Sequence, residues 1–447
     1  MDETRLLAEF VAGLSFDKLT HDVVSQAKTC FMDTLGVVLG GAKTETGKMI
    51  IGFTTSLRSI KESTILGTKE KTSPLYAALA NGALAEILEL DDGHRFSGEH
   101  QSSVVHPAVL AVGEPRNSSG KDLITAIVAG YEVMGRIGRA IHPSHLRKGY
   151  IPTGTCGGFG AAAAVSKLMN FGSEKIANAL GIAGYFAPMS LDENYYGPSV
   201  KSFHAGQSTQ TGMLAASLSE YGFTASPRTI TQFSTTVSEE YDVTAITEGL
   251  GQEYEIMNIY FKPHAVCRFA HSAIDCVLEI LKENIIDSND IRDISVTTFT
   301  SYLSRYTDPT SNYIHCQFSL PYIVAVTIIA GEAGPKQFSL ESVKDPAIHN
   351  LAKKVRVIVD DELVKIYPDK YPATVEITMN DGHKFYNRVD IPKGDPRNPL
   401  ELSELRNKFR SLSSDSLNEE QIAKAIGMTL ELEKIDDINE LVQVLRG

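Results

Sequence analysis

Residues 148–170 read KGYIPTGTCGGFGAAAAVSKLMN, with four glycines between positions 154 and 160 and an alanine run behind them. The reading of this stretch decides the fold class. A dinucleotide-binding turn needs a buried strand ahead of its glycines and an acidic residue about 20 positions on. What precedes the glycines is IHPSHLRKGYIPT (141–153), which is no buried strand, and the chain holds no GxxxxGK[ST]. The stretch therefore reads as a loop that opens a tightly packed helix. Its small residues let neighbouring backbones approach. The first N–H groups, near Thr155 to Gly158, are expected to face a carboxylate.

Outward from this stretch the first part of the chain is helical in pattern. TRLLAEFVAGL (4–14), DVVSQAKTCFMDTLGVVLGGA (22–42) and KDLITAIVAGYEVMGRIGRAI (121–141) repeat apolar residues at spacings of three and four. SPLYAALANGALAEILEL (73–90) opens with Ser73 as N-cap and Pro74 in the first turn. After about residue 260 the texture changes. DISVTTFT (293–300) and KKVRVIVD (353–360) read as strands, and ATVEITMNDGHKFYNRVDI (373–391) as a hairpin turning at Asn380-Asp381-Gly382. QFSLPYIVAVTIIAG (317–331) reads as a helix interrupted near its start by Pro321. PKGDPRNP (392–399) is loop chemistry, and helical patterns return beyond it. The expected architecture is mainly α with α+β. A large all-helical domain covers 1–260 and a smaller α+β lid domain 261–399. The helices from about 400 to 447 rejoin the first or cap the second.

Composition narrows the function. The 447 residues carry a formal charge of −13 with no basic stripe, which argues against nucleic acid as a partner. No apolar run is long enough to span a membrane. The first residues, MDETRLLAEFVAGL, lack the basic start of a signal peptide. The five cysteines are scattered without a CxxC, which suits a reducing, cytoplasmic setting.

Three further segments concentrate chemistry. In ELDDGHRFSGEHQSSVVHP (89–107), Glu89, Asp91, Asp92, His94, Glu99, His100 and His106 crowd a helix end, where acids oppose the helix dipole and need compensation. Asp92, His94 and His106 are conceivable metal ligands, but their spacing matches no standard motif. His106, ahead of Pro107 and an apolar run, is the candidate for an ordered imidazole suited to acid–base work. In VKSFHAGQSTQTGMLAASL (200–218), Lys201 precedes a helix of small residues, whose positive end is expected to depress its pKa and make it a base or an anion partner. In YFKPHAVCRFAHSAIDCVLEI (260–280), Arg268 and His271 share a helical face, and Arg268 suits a carboxylate clamp. Cys267 lacks any local feature that would activate it.

These segments, in this order, resemble the MmgE/PrpD family. The resemblance rests on MDTLGVVLGGA (32–42), LDDGH…HP (90–107), PTGTCGGFGAAAA (152–164), KSFHAGQSTQTG (201–212), KPHAVCRFAHSAIDC (262–276) and QFSLPYIVA (317–325), and spans nearly the whole chain. It implies a helical domain with an α+β lid, a site between them, a homodimer, and chemistry without metal or organic cofactor. The common reaction moves a proton next to a carboxylate on a small di- or tricarboxylic acid. By position it makes Lys201, His106, Tyr150 and His271 catalytic. Tyr322 and Glu89, also matched by position, join Arg268, Asp92, His94 and Thr155 from the reading of the residues as the substrate-binding set.

Three departures bear on the reaction. Many members carry a histidine directly before PTGT. Here Ile151 stands there, with Tyr150 beside it offering a hydroxyl, as in the epimerase branch. Glu89 stands where decarboxylating members carry an aspartate, and the loop from Asp92 to His106 is longer than theirs. Decarboxylation is thus the least expected outcome. A hydro-lyase of the 2-methylcitrate dehydratase type is expected first, then an epimerase of the iminodisuccinate type, then a binding protein without catalysis.

Overall fold

The computed structural model describes residues 3–192, 199–306 and 313–447. Its centre is a nest of helices: α1 (His21–Gly41), α2 (Pro74–Glu86), α3 (Ser102–Arg116), α4 (Gly120–Ile141), α5 (Pro152–Leu168) and α6 (Phe203–Glu220). Helix α5 is the stretch quoted above. Pro152 opens it in the first turn, where a missing N–H costs nothing. All four glycines lie inside the helix, not in a loop. A Cβ on Gly157 would stand 2.9 Å from Ser208 Cβ on α6, and one on Gly160 would stand 2.8 Å from Met134 Cβ on α4. The glycines are there because helices cross on both sides of α5 at backbone distance. The N–H groups of Gly154 and Thr155 bond the carbonyl of Ile151 at 3.1 Å, so they are spent within the first turn.

Helix α2 stops at Glu86, short of the Leu90 that its pattern suggests. Glu89 takes a left-handed φ of 53°, which turns the chain away. Helix α4 begins with a capping box between Ser119 and Asp122.

The second core is drawn almost wholly from residues 265 onward, joined by Val37 and Leu90 from the first part of the chain. Helix α7 (His271–Glu283) and α8 (Leu320–Ala330) pack on a four-stranded sheet of β1 (Ile291–Thr298), β2 (Val355–Val359), β3 (Ala373–Met379) and β4 (Lys384–Val389), in the order β2-β1-β3-β4. β1 and β2 are parallel; β3 runs antiparallel to β1 and to β4. Pro321 does not interrupt a helix. It sits in the first turn of α8, capped by Ser319, after a separate short helix at Tyr313–Gln317. Helices α9 (Leu402–Ser413) and α10 (Glu419–Leu430) return to α1. Leu405, Phe409 and Ile422 join the first core, while Leu412 joins the second. Among the described residues no helix is long and apolar enough to cross a membrane.

Candidate active site

The turn after α2, the residues just before α6 and the segment leading into α7 converge on one narrow cleft. It has about 50 Å³ of free volume, and its walls include Glu89, His100, Lys201, Arg268, Tyr260 and Tyr371. Lys201 is the hub. Its buried Nζ lies 2.7 Å from Glu86 Oε1 and also contacts Glu89 Oε1. Lys262, fully buried, lies 3.5 Å from Glu89 Oε2 and 3.4 Å from Asp91 Oδ1. These two ammoniums compensate the acids gathered at the end of α2.

The protonation states follow from the contacts. Burial alone would raise Glu86 and Glu89, but the neighbouring charges together outweigh it, Lys201 first, then His204 for Glu86 and Lys262 for Glu89. Both carboxyls are held below their usual range. Asp91 goes the other way. Burial and the Glu86 charge push it well above the carboxylate range, so it keeps its proton and donates it to Glu86. Two carboxylates hold the Lys201 side chain, and their charge opposes the helix dipole, whose positive end would by itself depress the amine.

His100 is the cleft's imidazole. Its Nδ1 donates to the Asp92 carbonyl at 2.6 Å, which leaves the lone pair on Nε2, and the ring is 16% exposed. Burial and the Lys262 charge lower its pKa to about 3, so it is neutral. Its backbone N–H donates to Thr153 Oγ1 at 3.0 Å. Asp92 holds the turn from behind, with its carboxylate accepting from Ser102 N at 3.2 Å and Tyr131 Oη at 2.8 Å.

Arg268 closes another wall. Its guanidinium lies 4.3 Å from the centre of the Tyr260 ring and donates through Nη1 to the Lys393 carbonyl at 3.2 Å. Asp395 stands 3.5 Å from Nη2. Nε and Nη2 are buried and make no hydrogen bond among the described residues. Donors of this kind suit a carboxylate. The Cys267 thiol also lines the cleft, but burial pushes it up to about 11, so it is not an activated nucleophile.

Glu89, Lys201 and Arg268 therefore come together as the sequence suggests; the other candidates do not. His106 lies six positions further on, within α3, with no exposure. Its Nδ1 meets Thr34 Oγ1 at 2.7 Å and its ring packs between Phe31 and Tyr131. The apolar residues on both sides of it, VVHPAVLAV, are the signal that it faces a core. The cleft position falls to His100, and the loop from Asp92 to that histidine is correspondingly six residues shorter. His94 is spent on Glu255 at 2.9 Å, and Asp92 on the turn. With His106 in the core, these three do not assemble as metal ligands.

Tyr150 stacks on His145, and Thr155 Oγ1 bonds His145 Nε2 at 2.9 Å. Both line a separate, mostly apolar hollow of about 860 Å³ on the outer face. That hollow is roomier than the cleft but lacks its paired acids and bases. Thr155 offers no N–H to a carboxylate, because its N–H is used within the helix. His271 is fully buried against His264, and Tyr322 is buried with its hydroxyl on the Gln337 carbonyl at 3.1 Å. Neither lines the cleft. Besides His100, sequence reasoning misses Lys262. Its partner Glu89 lies 173 positions away, so nothing local marks it.

Comparison with known proteins shows the family. Residues 5–238 match the MmgE/PrpD N-terminal domain and residues 264–434 the MmgE/PrpD C-terminal domain. The chain belongs to the MmgE/PrpD family. Among its relatives, cis-aconitate decarboxylase of Aspergillus terreus is 26% identical, covering 99% of this chain and 95% of the relative. The Homo sapiens cis-aconitate decarboxylase is 25% identical over 99% and 94%. The mitochondrial 2-methylcitrate dehydratase of Yarrowia lipolytica is 25% identical over 84% and 76%.

Proposed function

We propose that this protein is a lyase that removes a proton α to a carboxylate on a small di- or tricarboxylic acid and expels water. It is then a hydro-lyase of the 2-methylcitrate dehydratase type, with acid, base and anion-holding groups all supplied by the chain. The observation that carries the reading is that His100 and Lys201 line one cleft, the imidazole with its Nδ1 spent on a carbonyl and the lysine set against two carboxylates. Environments that push two titratable groups apart mark out a base and an acid.

In this reading a substrate carboxylate meets the Arg268 Nε and Nη2 groups, which make no hydrogen bond among the described residues. His100 Nε2 takes the α-proton. Lys201 gives a proton to the departing hydroxyl, whose C–O bond breaks as the C=C bond forms. Negative charge building on the enediolate is stabilised by Arg268 and the buried lysines. The cleft is too narrow for a tricarboxylate as it stands. Substrate entry therefore needs the α+β part to draw back, and closure excludes water.

The decarboxylase relatives match more of the chain, and the loop-length objection to decarboxylation lapses once His100 is the cleft histidine. A base for the α-proton still favours elimination of water, since loss of CO₂ needs a donor to carbon and no such base. The same His100–Lys201 pair would also serve an epimerase, one group taking the proton and the other returning it. That is the second reading, and Ile151 in place of a third proton carrier favours it.

Proton NMR in deuterated buffer tests all of these on 2-methylcitrate, citrate, cis-aconitate, malate, aspartate and iminodisuccinate. A new olefinic signal with loss of the α-proton is the expected result. Deuterium incorporation with inversion and no olefin would make the protein an epimerase. Release of CO₂ from cis-aconitate would make it a decarboxylase. Silence across the panel would overturn the reading.

Two further parts of the proposal are a homodimer and a reducing, cytoplasmic setting. Tyr185 (82% exposed), Met189 (68%) and Phe223 (59%) crowd the outer hollow, an apolar patch suited to a second copy. Light scattering should report twice 48.7 kDa. All five cysteines are free thiols, which suits that compartment.

A further inference from the structure

The turn after α2 is held by its carbonyls. Three alternate carbonyl oxygens along it each accept from a different part of the chain. The Leu88 carbonyl accepts from Gln317 Nε2 at 3.3 Å, and the Asp92 carbonyl from His100 Nδ1 at 2.6 Å. Between them, the Leu90 carbonyl accepts from Lys408 Nζ at 2.7 Å, across 318 positions of sequence. Lys408 belongs to α9. The spacing of Leu405, Phe409 and Leu412 puts it on the inward face of that helix, where its side chain is 11% exposed. A lysine on such a face needs partners. The second one is Asp33 of α1, whose buried Oδ1 lies 2.7 Å from Nζ. Glu89, beside Leu90, stands at a left-handed φ of 53°. A non-glycine residue persists there only where its surroundings fix it. In that conformation its carboxylate meets Lys201 and Lys262.

We propose that Lys408 is a positioning residue for the reaction in the cleft. By pinning the Leu90 carbonyl it keeps Glu89 in its left-handed conformation, with the carboxylate against Lys201, and keeps the Asp92 carbonyl in place for His100. The inference rests on the reading of His100 and Lys201 as the reacting pair. Lys408 is not among the walls of the cleft and acts only through the turn. Without its donor the peptide between Leu90 and Asp91 is free to rotate, and the strain at Glu89 can be released. Glu89 then draws away from Lys201, and His100 loses the fixed carbonyl that orients its ring. One change on the far side of the turn thus misplaces both reacting groups. The ion pair with Asp33 serves a different end: it gives the Lys408 side chain a partner inside the protein.

The test separates the carbonyl bond from the ion pair. Asp33→Asn removes the ion pair and keeps the Lys408–Leu90 bond. Lys408→Met keeps an apolar stem of similar length and removes both. The double variant D33N/K408M also lacks both and strands no buried partner, so it stands in if K408M does not fold. Crystal structures of the variants come first and need no substrate. In K408M, or in the double variant, Glu89 is expected to leave the left-handed region and its carboxylate to leave Lys201, while in D33N the turn should stay as it is. A turn unmoved by loss of the lysine overturns the proposal. The second measurement is turnover of whichever panel acid the wild type converts, well below the melting transition. K408M and the double variant should lose about ten-fold or more in kcat, as misplaced reacting groups do. Their KM should change little, because Arg268 approaches from the α+β side. D33N should keep the wild-type kcat. Equal losses in D33N and in the Lys408 variants would mean that the ion pair only supports the fold, and would overturn the proposal. If the wild type converts no panel acid, the proposed function fails, and the crystal structures still decide the role of Lys408.

Discussion

Glu86 Oε1 lies 2.7 Å from Lys201 Nζ, a buried contact between residues 115 positions apart in the chain. It ties the end of α2 to the residues just before α6 and sets a carboxylate against the lysine that serves as the acid in the proposed reaction. Removing the lysine leaves Glu86 and Glu89 buried against each other. Lys201→Ala is expected to cost about 3–5 kcal/mol of stability, the penalty for breaking a buried ion pair. It should also cost about 10²-fold or more in kcat, as loss of a general acid does. Adding Glu86→Gln should return part of the stability and none of the activity. Urea denaturation and steady-state kinetics on the three variants check both.

His100 and His106 make opposite predictions. His100 lines the cleft and its Nε2 makes no hydrogen bond among the described residues, so His100→Gln should abolish turnover with the melting temperature little changed. His106 lies in the core, and its partner Thr34 Oγ1 keeps a bond to the Cys30 carbonyl at 2.8 Å without it. His106→Leu should keep wild-type kcat and lose about 1 kcal/mol of stability. Activity lost in H106L and kept in H100Q would reverse the assignment.

The same buried ring gives a pH signature. Burial holds His106 down at about 3, whereas in the unfolded chain it titrates near its usual value of 6.5. Above 6.5 neither state holds the proton. Between 6.5 and 3 the unfolded state binds it and the native state does not, so its contribution to stability is full above 6.5 and is lost as pH falls. His100 and His142, also lowered to about 3 by burial, act in the same sense. Asp92, raised to about 6 by burial, and Glu132, raised to about 7, act in the opposite one. The clean measurement is therefore a difference. Between pH 4.5 and 6, the unfolding free energy of H106L should vary with pH less steeply than that of the wild type, by about 1.4 kcal/mol per pH unit, the worth of one proton.

How much of this is legible in the sequence depends on the range of the interaction. Helices α1 and α4 and the β3–β4 hairpin are written in local periodicity and turn residues, and they fold where the pattern puts them. Pro321 is read as a break because its place within the helix depends on where Ser319 caps it. In the site, Glu89, Lys201 and Arg268 stand out as charges in apolar company. His100 and His106 do not separate, because the choice turns on the point at which α3 begins, and six residues carry a side chain from cleft to core. Lys262 and Glu86 acquire their meaning only from partners distant in the chain. Thr155 misleads for a related reason: the free N–H groups of a helix start are free only if the first turn does not use them.

The last prediction joins packing to function. A Cβ on Gly212, inside α6, would lie 2.5 Å from the Gly158 carbonyl oxygen and from Ala161 Cβ on α5, and main-chain atoms cannot swing aside. Gly212→Ala should therefore push α6 off α5 and cost about 1–3 kcal/mol or more. Gly52, inside the helix Glu45–Ser56, has nothing within 4 Å of such a Cβ, so Gly52→Ala should gain up to about 1 kcal/mol from helix propensity alone. The two glycines differ again in activity. Helix α6 carries Lys201 at its entry and rests on α2, which carries Glu86. A shift of about 1 Å in reacting groups can cost about 10²-fold in rate. G212A should thus lose kcat even at temperatures where it is fully folded, while G52A stays at the wild-type rate. Calorimetry paired with kinetics well below the melting transition separates the two effects. A G212A variant that is folded, less stable and fully active would show that the site does not depend on the seating of α6.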